Sequence, residues 1–411
     1  MSKLIAFTTY ILMFLWSILK MFSLETSGKS SIGYYSILIM LLLEIMAFIV
    51  IFLNIKDLIN SKLNIAVFAW LIWVIINNLV NSDDLFLDMR EVLWWPLIYF
   101  LFYFIAFNDS NGKFIQSIIK FFPILFIVML VQYLLIRSTN SFFYTESGKA
   151  FYGPSNSIYY NALLMPFAFL VKRKGLKYLL LVIGLVLVLF SFKRAPIIFA
   201  ALIIVMAMYY DFIVSKNMSL LRGLFFSCIV LIAGFLAFNY INNKTGEFLT
   251  QRFESMKKDN GSGRLEIYQN VWEKFNHKGF EYQIIGSGHN SVSDSNKTLD
   301  DNGKLIGISA HNDYLEVIYD FGLIGLVFFL IVLSEFIKQL LYLKNVDDKL
   351  FQANFAAFII FFVMSMVSHL FTLPTYFAYL VIVLALSAGM IRRSQENFNP
   401  QENLSNLQDH T

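Results

Sequence analysis

The sequence predicts an all-α, polytopic membrane protein, and three observations carry that reading. Apolar residues make up 58% of the 411 positions and charged residues 15%, with 44 Phe and 21 Tyr, far outside the composition of soluble domains. The apolar residues fall in continuous runs of about 17–23, the length that carries a helix across the hydrocarbon core, whereas a membrane β-barrel would alternate apolar and polar residues in shorter segments. A single long hydrophilic stretch, 242–310, interrupts the runs near the C-terminal end.

Read in order, the runs define about twelve transmembrane helices, near 4–19, 32–53, 64–80, 92–107, 114–136, 157–171, 177–192, 196–214, 221–241, 313–335, 353–371 and 375–391. The first is expected to stay as a span, because Met21-Phe22-Ser23-Leu24 does not supply the small-residue cleavage site of a signal peptide. In the fourth, Trp94 and Trp95 read as a headgroup belt, and Pro96 there and Pro123 in the fifth read as kinks or helix starts. Glu44 is expected to face the bundle interior and Lys120 to snorkel, while Asn77, Asn78, Gln132 and Asn161 suit hydrogen bonds across helices. The organisation is thus 1–241 with about nine helices, an extracytoplasmic loop domain at 242–310, 311–393 with about three helices, and a disordered cytoplasmic tail at 394–411, rich in Asn, Gln and Glu. Cys228 has no second cysteine to pair with, so neither a disulfide framework nor a Cys-based metal site is available.

Orientation follows from the short connections. Lys56 and Lys62, Lys172 to Lys174 and Lys177, Lys216 and Arg222, Lys338, Lys344 and Lys349, and Arg392 and Arg393 all fall on one side of a twelve-span scheme. That side is cytoplasmic by the positive-inside rule, which puts both termini inside and the loop outside.

The loop meets the membrane at Ala310 to Gly325, AHNDYLEVIYDFGLIG. His311 sits at the boundary, the run Tyr314 to Ser334 spans about 31 Å as a helix, and Gly322 and Gly325 clear one face for another helix to approach. Within the loop, Ser262 suits the cap of a helix running to about Asn276, with Leu265, Tyr268, Trp272 and Phe275 as its apolar face. Gly286-Ser287-Gly288 reads as a tight turn and 294–304 as exposed loop. No nucleotide-binding or HExxH motif occurs in a supporting context, which argues against cytoplasmic ATP hydrolysis as the driving force.

Lys193 and Arg194 break the charge rule, because KRAP falls in a tight connection on the outer side, with Pro196 starting the next helix. Two readings are open: a pair of cations snorkelling to lipid phosphates, or an outward-facing anion clamp, for which an arginine fork fits a diphosphate better than lysine does. Arg264, in GSGR, lies on the same side. His369 is expected near the outer end of its span, the side of His311, as a substrate-side or interhelical residue.

Taken together, these features resemble the O-antigen ligase/polymerase superfamily over roughly residues 150–330. The superfamily pattern of His, a small polar residue, nine residues and Gly-x-x-Gly is met by His311, Asn312, DYLEVIYDF, Gly322 and Gly325. Further matches are Arg194 at the outer end of a span pair, Ser262-Gly263-Arg264 before a helix containing Trp272, the Gly-x-Gly of IIGSGHN, and FYGPSN, which holds Asn156.

The resemblance implies a GT-C-like, metal-independent glycosyltransferase without cofactors, in the bacterial cytoplasmic membrane, with its active site on the extracytoplasmic face. Its donor and acceptor would be polyprenyl-pyrophosphate-linked glycans, and its surroundings membrane lipids and a chain-length regulator protein rather than nucleic acid. His311 would accept a proton from, or orient, the attacking hydroxyl, and Arg194 and Arg264 would stabilise charge on the leaving diphosphate. Lys193, Asn312, Arg252, Asn156 and His369 would line the substrate. Asp313 is a poor tuner of His311, since a carboxylate two positions along a helix points elsewhere. The compact loop favours a polymerase of repeat units for O-antigen or capsule over an O-antigen ligase or a protein O-oligosaccharyltransferase. The rival from another class, a lipid-linked oligosaccharide flippase, would be expected to show internal repeats and a midplane site.

The orientation is testable in a Cys228→Ser background. A cysteine placed at Ser293 should react with an impermeant thiol reagent in intact cells and one at Ser394 should not; the reverse pattern inverts the topology.

Overall fold

Inside hydrocarbon every backbone N–H and C=O must be paired within the chain, so the apolar runs have the helix as their solution. A computed structural model describes residues 2–25, 31–82, 84–109, 112–139, 142–144, 150–152, 162–190, 194–211, 264–299, 305–368, 370–371 and 374–398, with scattered positions between 228 and 254. The long helices are α1 (Ser2–Glu25), α2 (Ser31–Leu58), α3 (Lys62–Asn81), α4 (Leu85–Asn108), α5 (Lys113–Thr139), α6 (Lys174–Phe190) and α7 (Arg194–Tyr209). The loop contributes α8 (Arg264–Asn276), α9 (Phe280–Ile285) and α10 (Ser291–Ser295), and the C-terminal part α11 (Asp313–Leu343), α12 (Asp348–Val367) and α13 (Pro374–Phe398). Among them α1 to α4 and α11 to α13, seven helices, are long and apolar enough to cross a membrane. The protein is an all-α polytopic membrane protein, with two short antiparallel ribbons as its described strands: β1 (Phe142–Tyr144) with β2 (Ala150–Tyr152), and β3 (Lys297–Leu299) with β4 (Leu305–Gly307).

Several expectations need correction. The sixth span, 157–171, is α-helical only at 162–163 in its described part and then becomes a 3₁₀ helix at Met165–Leu170; 162–170 is buried and stacks through Phe167 on Phe122 of α5. The ninth, 221–241, lies largely outside the described residues. Trp94 and Trp95 are 0% and 1% exposed and form no headgroup belt. Because α4 begins at Leu85 rather than near 92, they lie roughly 14 Å along the helix and pack against Trp16, Trp70, Phe371 and Phe377. Pro96 and Pro123 sit inside α4 and α5. The described part of 294–304 is not simply exposed loop, since it completes α10 and supplies β3 of the β3–β4 ribbon. At the C-terminus α13 continues to Phe398, past the expected start of the tail at 394.

Helix α4 from Trp94 to Ala106 and α13 from Phe377 to Leu386 are buried all round, which makes them the interior pair. Gly389 allows their approach: a Cβ there would lie 2.6 Å from the carbonyl oxygen of Tyr103. Glu44 is buried, as expected of an interior carboxylate, and Lys120 is exposed.

The bundle has two distinct ends. The C-terminal ends of α3 and α12 and the N-terminal ends of α4, α11 and α13 gather at the loop, as bonds from Asn77 to Ile285, from Tyr268 to Met366, from Phe371 N to Asp313, and between Glu91 and His289 record. At the other end Tyr210, just past α7, donates to Asp348 at the start of α12 (3.0 Å), and Arg393 donates to the carbonyl of Asp109 after α4. Lys177 there pairs with Asp211 in a buried bridge. The α2–α3 turn with Lys56 and Lys62, the approach to α6 with Lys172 to Lys174, the α11–α12 turn with Lys344 and Lys349, and Arg392 with Arg393 all lie at this second end. The clustering inferred from the connections is thus met without relying on a count of spans; Lys216 and Arg222 lie outside the described residues.

Helix α11 is not one straight span. At Gly322 the backbone turns to φ 72°, ψ −174°, which separates a first segment of nine residues from a lipid-length remainder. The close approach expected at Gly322 is made by α9 of the loop: a Cβ would lie 2.2 Å from the carbonyl oxygen of Ile284 and 2.5 Å from the nitrogen of Gly286. At Gly325 the neighbours of a Cβ would be Phe321 and the Trp73 indole of α3.

Replacing Gly322 by Ala should therefore cost about 1–3 kcal/mol in backbone strain alone, and more from the clash. Gly175→Ala, at a helical position with open space around it, should stay within about 1 kcal/mol of wild type. Thermal midpoints of the two purified variants check the contrast, and equal midpoints would show that the Gly322 contact is dispensable.

Candidate active site

The loop is held against the bundle first by an apolar seam. Ile267, Val271 and Phe275, spaced at four, place one stripe of α8 against Leu315, Ile318 and Tyr319 of α11, with Val292 and Ala310 closing the cluster. The stripe read from the sequence is met at Phe275, while Tyr268 is half-buried and Leu265 and Trp272 are 54% and 47% exposed. Ser262, the expected cap, lies outside the described residues, and α8 begins at Arg264.

A polar lock then fixes the segment Gly286 to Val292. The carbonyl of Asp320 accepts from the N–H groups of Ser287 and Gly288, both at 2.9 Å. Its carboxylate accepts from Asn290 N (3.0 Å), Val292 N (3.1 Å) and Ser291 Oγ (2.7 Å). Gly286 and Gly288 have φ of 94° and 92°, and Gly286 lies so close to Asp320 that a Cβ would meet its carbonyl oxygen at 2.3 Å. From α3, Asn77 Nδ2 donates to the carbonyl of Ile285 (2.6 Å), Asn78 Oδ1 accepts from His289 N (3.0 Å), and Trp73 Nε1 donates to the carbonyl of Phe321 (3.1 Å). Asn77 thus bonds across helices as expected, from α3 to the last residue of α9, and Asn78 ties α3 to the segment after it.

His289 is buried and its Nε2 lies 3.3 Å from Glu91 of α4, which also faces Arg90 at 3.5 Å. Burial alone would push the imidazole pKa down, but the bond to Glu91 and the charges of Asp320, Glu91 and Asp88 together hold it above its ordinary value. Beside it, Lys278 lies over the Tyr319 ring at 3.5 Å and donates to Ser287 Oγ. Burial pushes its ammonium down to about 8, against the pull of Asp320.

At the other end of the short α11 segment, His311 takes a left-handed backbone (φ 54°) and Asn312 caps the helix, its Oδ1 accepting from Tyr314 N (3.0 Å) and Leu315 N (3.2 Å). Asp313 is fully buried and points away from His311, as expected. Its carboxylate accepts from Ser365 Oγ (2.6 Å), Leu370 N (3.1 Å) and Phe371 N (2.9 Å), which fixes the turn after α12. Tyr268 of α8 reaches across, with its hydroxyl 3.2 Å from the carbonyl oxygen of His311 and 3.0 Å from that of Met366. Arg264, one turn earlier on α8, is half-buried, and its charge acts on Tyr268.

Of the residues singled out in the sequence, Arg264, His311 and Asn312 therefore come together at the loop end. Arg194 is the first residue of α7, which ends beside the start of α12, so its backbone begins at the same end. Lys193, Arg252, Asn156 and His369 lie outside the described residues. Sequence reasoning missed Tyr268, His289 and Asp320. The available signal was the set of three acids, Asp313, Glu316 and Asp320, in the first turns of an apolar run: all three are buried, and buried carboxylates there need built partners.

Fold and site define a polytopic membrane protein whose ionisable side chains gather between a loop helix and a broken span. Residues 179–330 match the O-antigen ligase family, a range that holds Arg194, Arg264 and the His311 to Gly325 motif. A protein of Rickettsia conorii named "Putative polysaccharide ligase" is 27% identical over 157 residues, covering 36% of this chain and 37% of that relative. Over this segment the chain is similar to the O-antigen ligase family, and the match spans little more than a third of the relative's length.

The His289–Glu91 pair has a readable pH dependence. With the folded pKa raised above about 6.5, the stability contributed by protonated His289 is fully present below that pH and is lost as pH rises through the folded value. The thermal-midpoint advantage of wild type over Glu91→Gln should be largest near pH 5.5–6.5 and shrink toward pH 9. An advantage that grows with pH would reverse the assignment.

Proposed function

We propose that this protein is a glycosyltransferase that moves a glycan from a polyprenyl-diphosphate carrier to a sugar hydroxyl on the extracytoplasmic face of the bacterial cytoplasmic membrane. The observation that carries the reading is the meeting of Arg264 and His311 around Tyr268, at the end of the bundle where Arg194 also begins its helix. Collection of the short-connection cations at the opposite end supports the extracytoplasmic placement.

In this reaction the bond from the anomeric carbon to the diphosphate oxygen breaks and its electron pair leaves with the diphosphate. The guanidinium groups of Arg194 and Arg264 stabilise that charge as it develops, and a fork of donors fits two phosphoryl oxygens. The attacking hydroxyl forms the new glycosidic bond and its proton passes to His311. Lys193, Arg252, Asn156, Asn312 and His369 line the substrate.

For the acceptor, the compact loop supports a second lipid-linked repeat unit, which makes the protein a polysaccharide polymerase for O-antigen or capsule, working with a chain-length regulator. The descriptions of the family and of the relative support a ligase as the second reading. Purified protein given lipid-linked repeats alone should yield products of increasing length. Product formed only after a different acceptor is added identifies a ligase.

His311→Ala should slow transfer by about 10²–10⁴-fold in a folded protein, and cells should accumulate single lipid-linked repeats on the outer leaflet. Accumulation on the inner leaflet marks a flippase instead. Arg194→Lys keeps charge but loses the fork and should lose substantial activity, whereas normal chain length with Arg194→Ala would return Arg194 to a lipid-snorkelling role.

A further inference from the structure

The Tyr268 hydroxyl stands between two helix ends, within hydrogen-bond distance of the His311 and Met366 carbonyls. The last four carbonyls of an α-helix have no intrahelical donor, and Met366 is among them in α12. Met364, two residues back, is served by Ser368 N at 2.7 Å, whereas Met366 is served by Tyr268 at 3.0 Å and by Asn312 Nδ2 at 3.4 Å. In α11 the first ladder acceptor is Asn312, which takes Glu316 N at 3.0 Å, so the carbonyl of His311 lies outside the ladder and faces Tyr268 at 3.2 Å.

The His311 backbone is held in the left-handed region, which strains a non-glycine residue and persists only where neighbours over-determine it. The neighbours are on hand: the Asn312 cap, the Asp313 carboxylate on Ser365, Leu370 and Phe371, and the Tyr268 hydroxyl. Tyr268 differs from the other two because it belongs to α8, four residues after Arg264 and on the same face. Burial holds its phenol above the ordinary pKa against the opposing pull of Arg264 and Asn312, so it remains a donor across the neutral range.

Building on the transfer reading above, we propose that Tyr268 is a positioning residue: its hydroxyl ties the His311 backbone and the end of α12 to the helix that carries Arg264. Base and guanidinium are thereby set at one separation. The role is not catalytic, because the hydroxyl is engaged by the two carbonyls, and it acts on the reaction through where it holds His311. Misplacement of a reacting group by about 1 Å costs up to about 10²-fold in rate.

The test is a double-variant cycle with Tyr268→Phe, which keeps the ring and removes only the hydroxyl. Tyr268→Phe should lower kcat about 10- to 100-fold, leave KM for the lipid-linked donor within about twofold, and speed amide hydrogen exchange over 312–316. In a His311→Ala background the same change should lower the rate no further, since the group it positions is gone. Wild-type kcat in Tyr268→Phe, or an undiminished further loss in the His311→Ala background, overturns the inference while leaving the transfer reading intact. A wild-type rate for His311→Ala alone overturns the transfer reading and this inference with it.

Discussion

The loop end of this protein depends on a backbone contact that leaves no room for a side chain. Gly322 breaks α11, Gly286 ends α9, and the two segments press together so closely that a Cβ on either would lie within 2.3 Å of a carbonyl oxygen. Both residues have positive φ, the backbone region that glycine enters without penalty. Asp320 can serve five donors of the 287–292 segment only because that approach is made. Once it is made, the nine residues from Asp313 to Phe321 become a rigid strut, anchored at one end by Asp320 and at the other by Asp313, with His311 just beyond.

The charges in the strut are expensive, which explains their elaborate pairing. A carboxylate taken out of water loses far more solvation than one hydrogen bond restores, so it persists only where several donors converge. Asp313 gathers one hydroxyl and two backbone N–H groups, and Asp320 one hydroxyl and two N–H groups on its carboxylate, with His289 and Lys278 supplying positive charge nearby. Removing any one donor leaves the remainder of a buried charge unserved. The loop and the broken span are therefore expected to form and fail as a unit.

Hydropathy alone made the bundle legible, because continuous apolar runs in a membrane protein have one backbone solution. It failed where the chain uses apolar sequence for something other than a straight span. At 162–170 it packs a 3₁₀ turn against Phe122, and at Trp94 and Trp95 aromatic residues serve the core rather than the interface, because α4 starts seven residues earlier than its apolar run. The loop showed a similar split. Its glycines and the Arg264 and His311 motifs could be read from spacing, but the buried stripe of α8 could not, since Ile267 and Val271 compete with Leu265 and Trp272 for the same period and only the partner surface on α11 decides. Tyr268 was legible as part of an apolar face and illegible as a donor, because its acceptors are carbonyls 43 and 98 residues away.

The distribution of polar groups bears on whether such a molecule does chemistry or transport. Deeper in the bundle the buried polar side chains include neutral groups that satisfy one another: Asn354 donates to Ser387 (2.6 Å) and to the Leu350 carbonyl, Gln339 to the Leu384 carbonyl, and Tyr99 to Asn64 (2.7 Å). A void of about 10 Å³ lined by Leu333, Phe336, Asn354, Phe361, Phe377 and Leu384 has room for roughly one water. Groups closed on one another in this way add rigidity and offer no surface to a sugar. Besides Glu44 in the bundle and the Lys177–Asp211 bridge at the opposite end, the ionisable groups Asp313, Glu316, Asp320, His289 and Lys278 gather at the loop end, where the glycine contacts hold their supports still. Alternating access needs two arrangements of nearly equal energy around a central site, whereas a strained histidine clamped through Asp313, Asn312 and Tyr268 suits a reaction that needs one arrangement held closely. This asymmetry is the physical reason to read the loop end as a place where bonds are exchanged rather than as a vestibule.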